Sequence, residues 1–288
     1  MTKWVDVEHD PNAIKVLDHG FVVLIDIMGN DSAIANAART SYGSGTKKTS
    51  DDRALIRHLI RNQHTSPIEM VELKFLIKMP IFIARQHVRH RTASINEYSG
   101  RYSVMSDECY LPELDRFQEQ NKTNKQTSGD SLDYAVANDL RRTLDCSYVT
   151  AYDNYTYALD NGLSRELARI QLPVANYTEM YWKIDLKNFF HYIKLRMDKQ
   201  HAQFEIVQYA EAMYTLVKPL LPLSCEAFED YWFNAKSFSK QELDILGSLL
   251  RNEISLTETI TSDLLSKNEL NDFITKLTEI YNGNTTVR

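Results

Sequence analysis

Residues 85–103 read Arg85-Gln86-His87-Val88-Arg89-His90-Arg91-Thr92-Ala93-Ser94-Ile95-Asn96-Glu97-Tyr98-Ser99-Gly100-Arg101-Tyr102-Ser103. This stretch holds four arginines and two histidines, whereas Glu97 is its only acid. The apolar residues 80–84 lead directly into it, so its cations are expected at the edge of a core, where unpaired charge is costly. The planar fork of arginine suits phosphate and carboxylate groups. The stretch therefore predicts a site for a bound anion.

The composition of the chain is that of a soluble globular protein. It has 288 residues, of which 43% are hydrophobic and 25% charged, which predicts one large domain or one domain with an appendage. The net charge of −6 argues against broad nucleic-acid binding, which usually requires a basic face. Clustered arginines on an acidic molecule indicate a focused pocket for a small phosphorylated ligand.

Cysteine usage and hydropathy predict a cytoplasmic protein without structural metal. Cys109, Cys146 and Cys225 are too widely spaced for a disulfide framework or a metal-ligand pair. No apolar stretch approaches the roughly 18 residues of a membrane span, and no signal peptide is recognisable. His87 and His90 could chelate a metal, but no carboxylate or cysteine stands at ligand spacing beside them, so we expect none.

Hydrophobic periodicity predicts alternating strands and helices. Strands are expected at 21–26, 71–79 and 174–184, and another could begin over 101–104. Helices are expected at 32–39 with Asp31 as cap, 51–63, 80–89, 131–160, 165–171 with Ser164 as cap, 186–197 and 201–218, where Asp198 could cap. Ser66 and Pro67 could open a further helical turn. Loops are expected at 43–50, after residue 89 and over 118–131.

The C-terminal part of the chain differs in character. From about residue 235 it is polar, amphipathic and helical, and it lacks the clustered site-like residues. We therefore predict a main domain at 1–234 and a helical appendage of unknown role at 235–288.

The spacing Arg89-His90-Arg91-x-x-Ser94-x-Asn96-Glu97-x-Ser99-x-Arg101-Tyr102 resembles the signature of the flavin-dependent thymidylate synthases. The resemblance extends over roughly residues 10–234. It includes four further blocks in the family's order: Ala38-Arg39-x-Ser41, His64-x-Ser66-Pro67-x-Glu69, Arg165-Glu166-x-Ala168-Arg169-x-x-Leu172-Pro173, and Arg196-x-Asp198 followed by His201-Ala202-Gln203-x-Glu205.

The resemblance implies a fold, an activity and an assembly. The fold is α+β, with a central, mostly antiparallel sheet flanked by helices and long helices contributing to a homotetramer. The family binds FAD and reductively methylates dUMP to dTMP, with 5,10-methylenetetrahydrofolate as carbon donor and NADPH as reductant. Its active sites are built at subunit junctions.

The resemblance also assigns residues by position. The dUMP site comprises Gln86, Glu97, Ser99, Gly100, Arg101, Arg169 from a neighbouring subunit, and Arg196 at the pyrimidine ring. The FAD site comprises Ser41, Ser66, Glu69, Arg89, His90, Arg91, Thr92, Lys187, His191, Leu195 and His201. Arg196, Arg101 and His64 are the catalytic candidates, with His64 at the folate or the flavin face. An arginine at the ring can stabilise charge that develops in the transition state.

Three departures from the family pattern bear on these assignments. Met70 stands where a histidine is common, Asp185 where an asparagine often contacts FAD, and Lys199-Gln200 adds one residue before His201. An acid near flavin phosphates is unfavourable unless a cation such as Lys187 offsets its charge.

The residues also allow other interpretations. The arginines could form a surface ion-pair network, and Arg165 with Arg169 could be a solvated helix face. A nucleic-acid module could use Tyr98 and Tyr102 for stacking, and a structural relative could have lost activity. No G-x-G-x-x-G sequence occurs, so any flavin must be held by other means. Ser99 has no evident general base beside it, so it is assigned to binding.

Overall fold

The computed structural model describes residues 7–41, 51–122, 128–251, 265 and 267–281. Spatial contacts divide the chain into two compact units, residues 1–228 and 229–288. The loop expected at 43–50 lies outside the described residues.

The first unit is built on seven strands. These are β1 (Ala13–Val16), β2 (Gly20–Met28), β3 (Glu72–Pro80), β4 (Ala93–Glu97), β5 (Gln118–Gln120), β6 (Ser128–Ser131) and β7 (Tyr177–Asp185). Five of them form one sheet in the order β1-β2-β3-β7-β4, in which all neighbours are antiparallel. The remaining two, β5 and β6, pair as a separate hairpin. The mostly antiparallel sheet and its strands near 21–26, 71–79 and 174–184 are confirmed.

The first seven helices of the first unit follow the predicted order, whereas the eighth, which begins at Pro222, was not predicted. They are α1 (Asp31–Arg39), α2 (Asp52–Arg61), α3 (Ile81–His87), α4 (Tyr134–Asp160), α5 (Arg165–Ala168), α6 (Leu186–Arg196), α7 (Phe204–Val217) and α8 (Pro222–Phe228). On α2 the four apolar positions 55, 56, 59 and 60 are all buried, as their spacing predicts. Gly162 follows α4 with φ of +84°, a conformation that glycine adopts readily.

Aromatic residues join the sheet to α3 and α6. Trp182 on β7 is fully buried, and its ring lies 4.3 Å from the His87 ring and 5.1 Å from the Tyr192 ring. Phe75 on β3 stacks on Phe189 of α6 at 5.8 Å. These contacts hold the C-terminal end of α3 and the middle of α6 against the same face of the sheet. Part of the candidate site lies at that junction.

The segment after residue 89 differs from its prediction. Residues 93–97 form β4, an edge strand paired with β7 from Ala93↔Ile184 to Glu97↔Met180. The pattern Ser-Ile-Asn-Glu is polar and largely exposed, so hydrophobic periodicity gave no signal for a strand. The strand expected at 101–104 is wrong, because those residues form a turn. The loop expected at 118–131 contains the β5–β6 hairpin, and residues 123–127 lie outside the description.

Several predicted helix starts are also corrected. Asn30 rather than Asp31 caps α1, while buried Asp31 accepts hydrogen bonds from the backbone N–H groups of Leu223 and Ser224. Gln203 precedes α7, and Asp198 instead accepts from the Gln200 N–H and pairs with His201. Ser66 caps nothing, because Pro67 precedes a single 3-10 turn at Ile68–Met70.

The second unit is helical. A π-helical turn at Glu229–Phe233 is followed by α9 (Lys240–Leu250) and α10 (Lys267–Tyr281). Ile245, Leu265 and Phe273 form its small core. Ser239 and Glu242 close a capping box at the start of α9, and Glu242 also pairs with Lys276 of α10 at 2.7 Å. No helix among the described residues is long and apolar enough to cross a membrane.

Candidate active site

The first group of site residues lies where α3 ends beside α6. We call Gln86, His87, His90, Tyr192 and Arg196 the His90 cluster. Pro80 precedes α3, which ends at His87, so Arg89 and His90 follow the helix rather than lie on it. The expected helix over 80–89 was therefore too long at its C-terminus, and the turn that follows directs His90 toward α6.

Arg196 is held by two acceptors in this cluster. Its Nε donates to the His90 Nε2 at 3.1 Å, and its Nη2 donates to the Gln86 carbonyl oxygen at 3.3 Å. The Gln86 side chain donates in turn to the Gln203 Oε1 at 2.5 Å. Within the described part of the chain, no carboxylate pairs with Arg196. Its two protein acceptors, an imidazole and a backbone carbonyl, are therefore both uncharged.

The histidines of the cluster are held neutral. Burial, with smaller contributions from the nearby Arg196 and His191, lowers the pKa of His90 to about 4. His87 is fully buried, and burial lowers its pKa to about 3, with smaller contributions from His90 and Arg196. Its Nδ1 lies 3.2 Å from the Tyr192 hydroxyl, whereas its Nε2 has no hydrogen-bond partner. A buried charge would be costly here, so both rings are imidazoles at neutral pH.

Further basic residues lie near this cluster, in sequence or in space. The side chains of Arg85, Arg89 and Arg91 form no hydrogen bond or ion pair with any residue that the structure describes. The His191 ring lies 6.0 Å from the His90 ring, and burial together with Lys187 and Lys194 lowers its pKa. The surface ion-pair interpretation fails for these three arginines, because it needs acids that they do not contact. All three arginines are exposed, so water solvates them and their guanidinium groups are open to an anionic ligand.

A second group forms around the turn after β4. We call Ser99, Gly100, Arg101, Glu166 and Arg169 the Gly100 cluster. Arg101 Nε lies 3.4 Å from a Glu166 carboxylate oxygen on α5, and the Ser99 hydroxyl accepts from the Arg101 N–H at 3.3 Å. A Cβ on Gly100 would lie 3.1 Å from the Arg169 Cδ. The neighbouring Arg165 donates to the Tyr102 carbonyl at 3.3 Å.

This geometry changes one expectation. Arg169 was expected to reach this turn from a neighbouring subunit, but it lies against Gly100 of its own chain. The His90 cluster and the Gly100 cluster are separate. No hydrogen bond or ion pair joins them among the described residues. The extended strand β4 lies between them in sequence and carries the chain roughly 17 Å over its five residues.

The other candidate residues lie apart from these contacts. His64 is exposed after α2, with its ring 5.8 Å from the His58 ring. Glu97 accepts a hydrogen bond from Thr178 at 2.8 Å, and exposed His201 pairs with Asp198 at 2.8 Å. The remaining candidates have no described contact with either cluster: Ser41 at the end of α1, Ser66 and Glu69 at the 3-10 turn, Thr92 before β4 and Leu195 on α6.

The departures have local explanations. Asp185 caps α6, with its carboxylate accepting from the Asn188 N–H at 2.9 Å and from the Asn188 side chain at 2.6 Å. Aspartate and asparagine are comparable caps, so this departure leaves the start of α6 intact. Lys199 pairs with Glu211 at 2.8 Å, and Met70 is exposed.

Sequence reasoning missed Tyr192, Trp182 and Gln203 as supports of the site. Tyr192 contacts both histidine rings, at 5.1 Å from His87 and 4.8 Å from His90. Its position on the buried stripe of α6 was the only available signal. No group of three or more His, Cys, Asp or Glu side chains in the described residues could hold a metal ion.

Known proteins resemble this chain in sequence. The family model described as "Thymidylate synthase complementing protein" matches residues 23–223. A flavin-dependent thymidylate synthase of Wolbachia pipientis wMel is 47% identical, covering 83% of this chain and 84% of its own length. One from Ehrlichia ruminantium (strain Gardel) is 50% identical, covering 83% and 80%.

Solved structures agree with the sequence relatives. The UMP/dUMP methylase PolB from Streptomyces cacaoi, bound with 5-Br dUMP, superposes with a TM-score of 0.68 at 32% identity. The match covers 76% of this chain and 98% of that protein. The same enzyme bound with 5-Br UMP gives the same TM-score and identity.

Proposed function

Because the chain belongs to the flavin-dependent thymidylate synthases, we propose that it reductively methylates dUMP to dTMP. 5,10-Methylenetetrahydrofolate is the carbon donor and NADPH the reductant. The observation that carries the proposal is the Arg196 guanidinium, which is held by the neutral His90 ring and a backbone carbonyl, with the exposed guanidinium groups of Arg85, Arg89 and Arg91 close to His90 in sequence. Phosphorylated ligands are their natural counter-charge.

The dUMP phosphate is assigned to the Gly100 cluster. Arg101 and Arg169 supply two cations, Ser99 a hydroxyl, and Gly100 a backbone N–H without a Cβ beside it. The pairing of Arg101 with Glu166 is exposed on both sides and therefore weak, so phosphate can displace it. Glu97, held by Thr178, completes the group at the end of β4.

The uracil ring is assigned to Arg196, together with Gln86. An arginine paired with a carboxylate is partly neutralised, whereas Arg196 is held only by neutral acceptors. It can therefore stabilise negative charge that develops on the ring during reduction. Arg196 and Arg101 thus have separate tasks, one at the ring and the other at the phosphate.

A complete site requires both clusters, and we assign them to different subunits of a homotetramer. The resemblance supports this assignment, because that family builds its active sites at subunit junctions. The long helix α4 offers contact surface, because Tyr134, Val136, Leu140 and Val149 on it are exposed apolar residues. The tetramer and the cytoplasmic location remain predictions.

The cationic side chains fit a flavin nucleotide. Cations and hydrogen-bond donors can hold a pyrophosphate where the protein has no glycine-rich turn. The residues assigned to this task are His90, Arg89, Arg91, Lys187 and His191. Asp185 is occupied as the cap of α6 and does not compete for these groups. The resemblance assigns six further residues to the same cofactor: Ser41, Ser66, Glu69, Thr92, Leu195 and His201. When bound, FAD reduced by NADPH would supply the hydride. His64, exposed after α2, remains the candidate for the folate or the flavin face.

The visible spectrum of the purified protein tests the proposal. We expect a two-banded flavin spectrum that bleaches when NADPH is added anaerobically. It should return when dUMP and 5,10-methylenetetrahydrofolate are both added, and neither should suffice alone. A colourless protein that cannot be reconstituted with FAD would instead support the inactive relative.

A further inference from the structure

The hydrogen bond between Arg196 and His90 has a defined direction. The Nε of arginine is always a donor, so the His90 Nε2 at 3.1 Å must accept. His90 is therefore a neutral imidazole with its proton on Nδ1. We propose that His90 is a positioning residue, which holds Arg196 in place for the uracil ring without neutralising its charge. This inference rests on the proposed function for the identity of the ligand.

The surroundings of His90 explain why a neutral acceptor is used. Among the residues that the structure describes, the titratable groups found to contact its ring or to shift its pKa are Arg196, His191, His87 and Tyr192, and none of them is negatively charged at neutral pH. Protonation would place a second positive charge beside Arg196 and remove the acceptor. A carboxylate in the same place would hold the guanidinium more tightly but would screen its charge from the substrate.

Packing restrains the plane of the His90 ring in addition to the hydrogen bond from Arg196. Tyr192 is fully buried and meets the ring edge-on at 4.8 Å. The same tyrosine meets His87 at 5.1 Å, and His87 in turn lies against Trp182 of β7 at 4.3 Å. The orientation of Arg196 therefore depends on the sheet through a chain of packed rings.

The two nitrogens of His90 have different tasks in this arrangement. Nε2 is committed to Arg196, so only the Nδ1–H can serve another ligand such as the flavin assigned above. Two substitutions of His90 distinguish these tasks. A glutamine side chain reaches the position of Nε2, whereas an asparagine side chain reaches only the position of Nδ1. His90→Gln can restore the acceptor for Arg196, whereas His90→Asn cannot.

The first test measures dUMP binding to the FAD-loaded protein by calorimetry. We expect His90→Asn to weaken dUMP binding about tenfold, the effect of losing one hydrogen bond to a charged group, and His90→Gln to stay within about threefold of the parent. In the Arg196→Lys background, His90→Asn should add no further loss, because the Nε donor is already absent. Equal losses for the two His90 variants, or full additivity with Arg196→Lys, would overturn the proposal.

The second test does not depend on the proposed function. Crystal structures of the two His90 variants without ligands should retain the Arg196 guanidinium in His90→Gln and displace it in His90→Asn. An unmoved guanidinium in His90→Asn would refute the positioning role. If the parent protein fails to bind dUMP, the proposed function is wrong, but the position of Arg196 in these structures still decides what His90 does.

Discussion

The side chain of Arg169 packs against Gly100 of its own chain. A Cβ on Gly100 would lie 3.1 Å from the Arg169 Cδ and 2.9 Å from the Met105 Sδ. Met105 is buried against Tyr155 and Ala168, so it has little room to withdraw. The glycine thus brings the turn after β4 into contact with the segment that follows α5.

Gly100→Ala should therefore displace Arg169 and weaken dUMP binding. We expect a loss of about tenfold in affinity, the effect of misplacing one charged donor, measured by calorimetry. Gly129→Ala is the matched control, because its Cβ would meet nothing closer than 3.4 Å. Equal affinity in Gly100→Ala and the parent would show that Arg169 does not contact the ligand.

Arg101→Ala should reduce dUMP affinity at least about thirtyfold, because it removes a cation assigned to the phosphate. The folded state should be little affected, since the pair with Glu166 is largely exposed on both sides. Arg142→Ala removes a comparable exposed pair, with Asp139, and should leave dUMP binding unchanged. A variant at position 101 that bound dUMP as well as the parent would refute this assignment.

His87 should make stability depend on pH. Its pKa is lowered by burial from 6.5 to about 3, so below pH 6.5 the unfolded chain binds a proton that the folded ring does not. Stability must then fall as the pH falls, by about 2 kcal/mol from this residue between pH 7 and pH 5. His87→Phe should flatten the dependence by that amount, measured by guanidinium denaturation at fixed protein concentration.

The same comparison contains its own control. Between pH 7 and pH 8 His87 is mostly neutral in both states, so the difference in unfolding free energy between the variant and the parent should change by less than about 0.2 kcal/mol there. A parent and a variant with parallel profiles from pH 7 to pH 5 would mean that the buried ring is protonated in the folded protein.

Lys78 and Glu108 form a buried ion pair at 2.7 Å, and their side chains are only 5% and 16% exposed. Glu108→Gln leaves a buried ammonium group without its counter-charge and should destabilise the protein by about 3 kcal/mol. The half-exposed pair Lys183–Glu72, also on the sheet, provides the control: Glu72→Gln should change stability by less than about 1 kcal/mol. The free energy of unfolding of both variants is measured with denaturant. Similar decreases in the two variants would show that burial does not make the Lys78–Glu108 pair more important for stability.

Local patterns determined much of this protein. The apolar spacing on α2 and the glycine after α4 identified those helices, since each reflects a property of adjacent residues. The excess of arginine over acid in residues 85–103 indicated an anion site, although the structure leaves all four arginines exposed rather than at the edge of the core. The spacing of the signature residues pointed to the family, which the comparisons confirm.

Tertiary structure alone decided the rest. The polar residues of β4 form a strand because β7, some eighty residues later, offers a free edge for hydrogen bonding. Arg196 meets His90 across 106 positions, and His87 is buried because Trp182 and Tyr192 close over it. Periodicity states which side of an element is buried, but not which distant group covers it. The acceptor for Arg196 and the neutrality of its histidine therefore emerge only when the chain is folded.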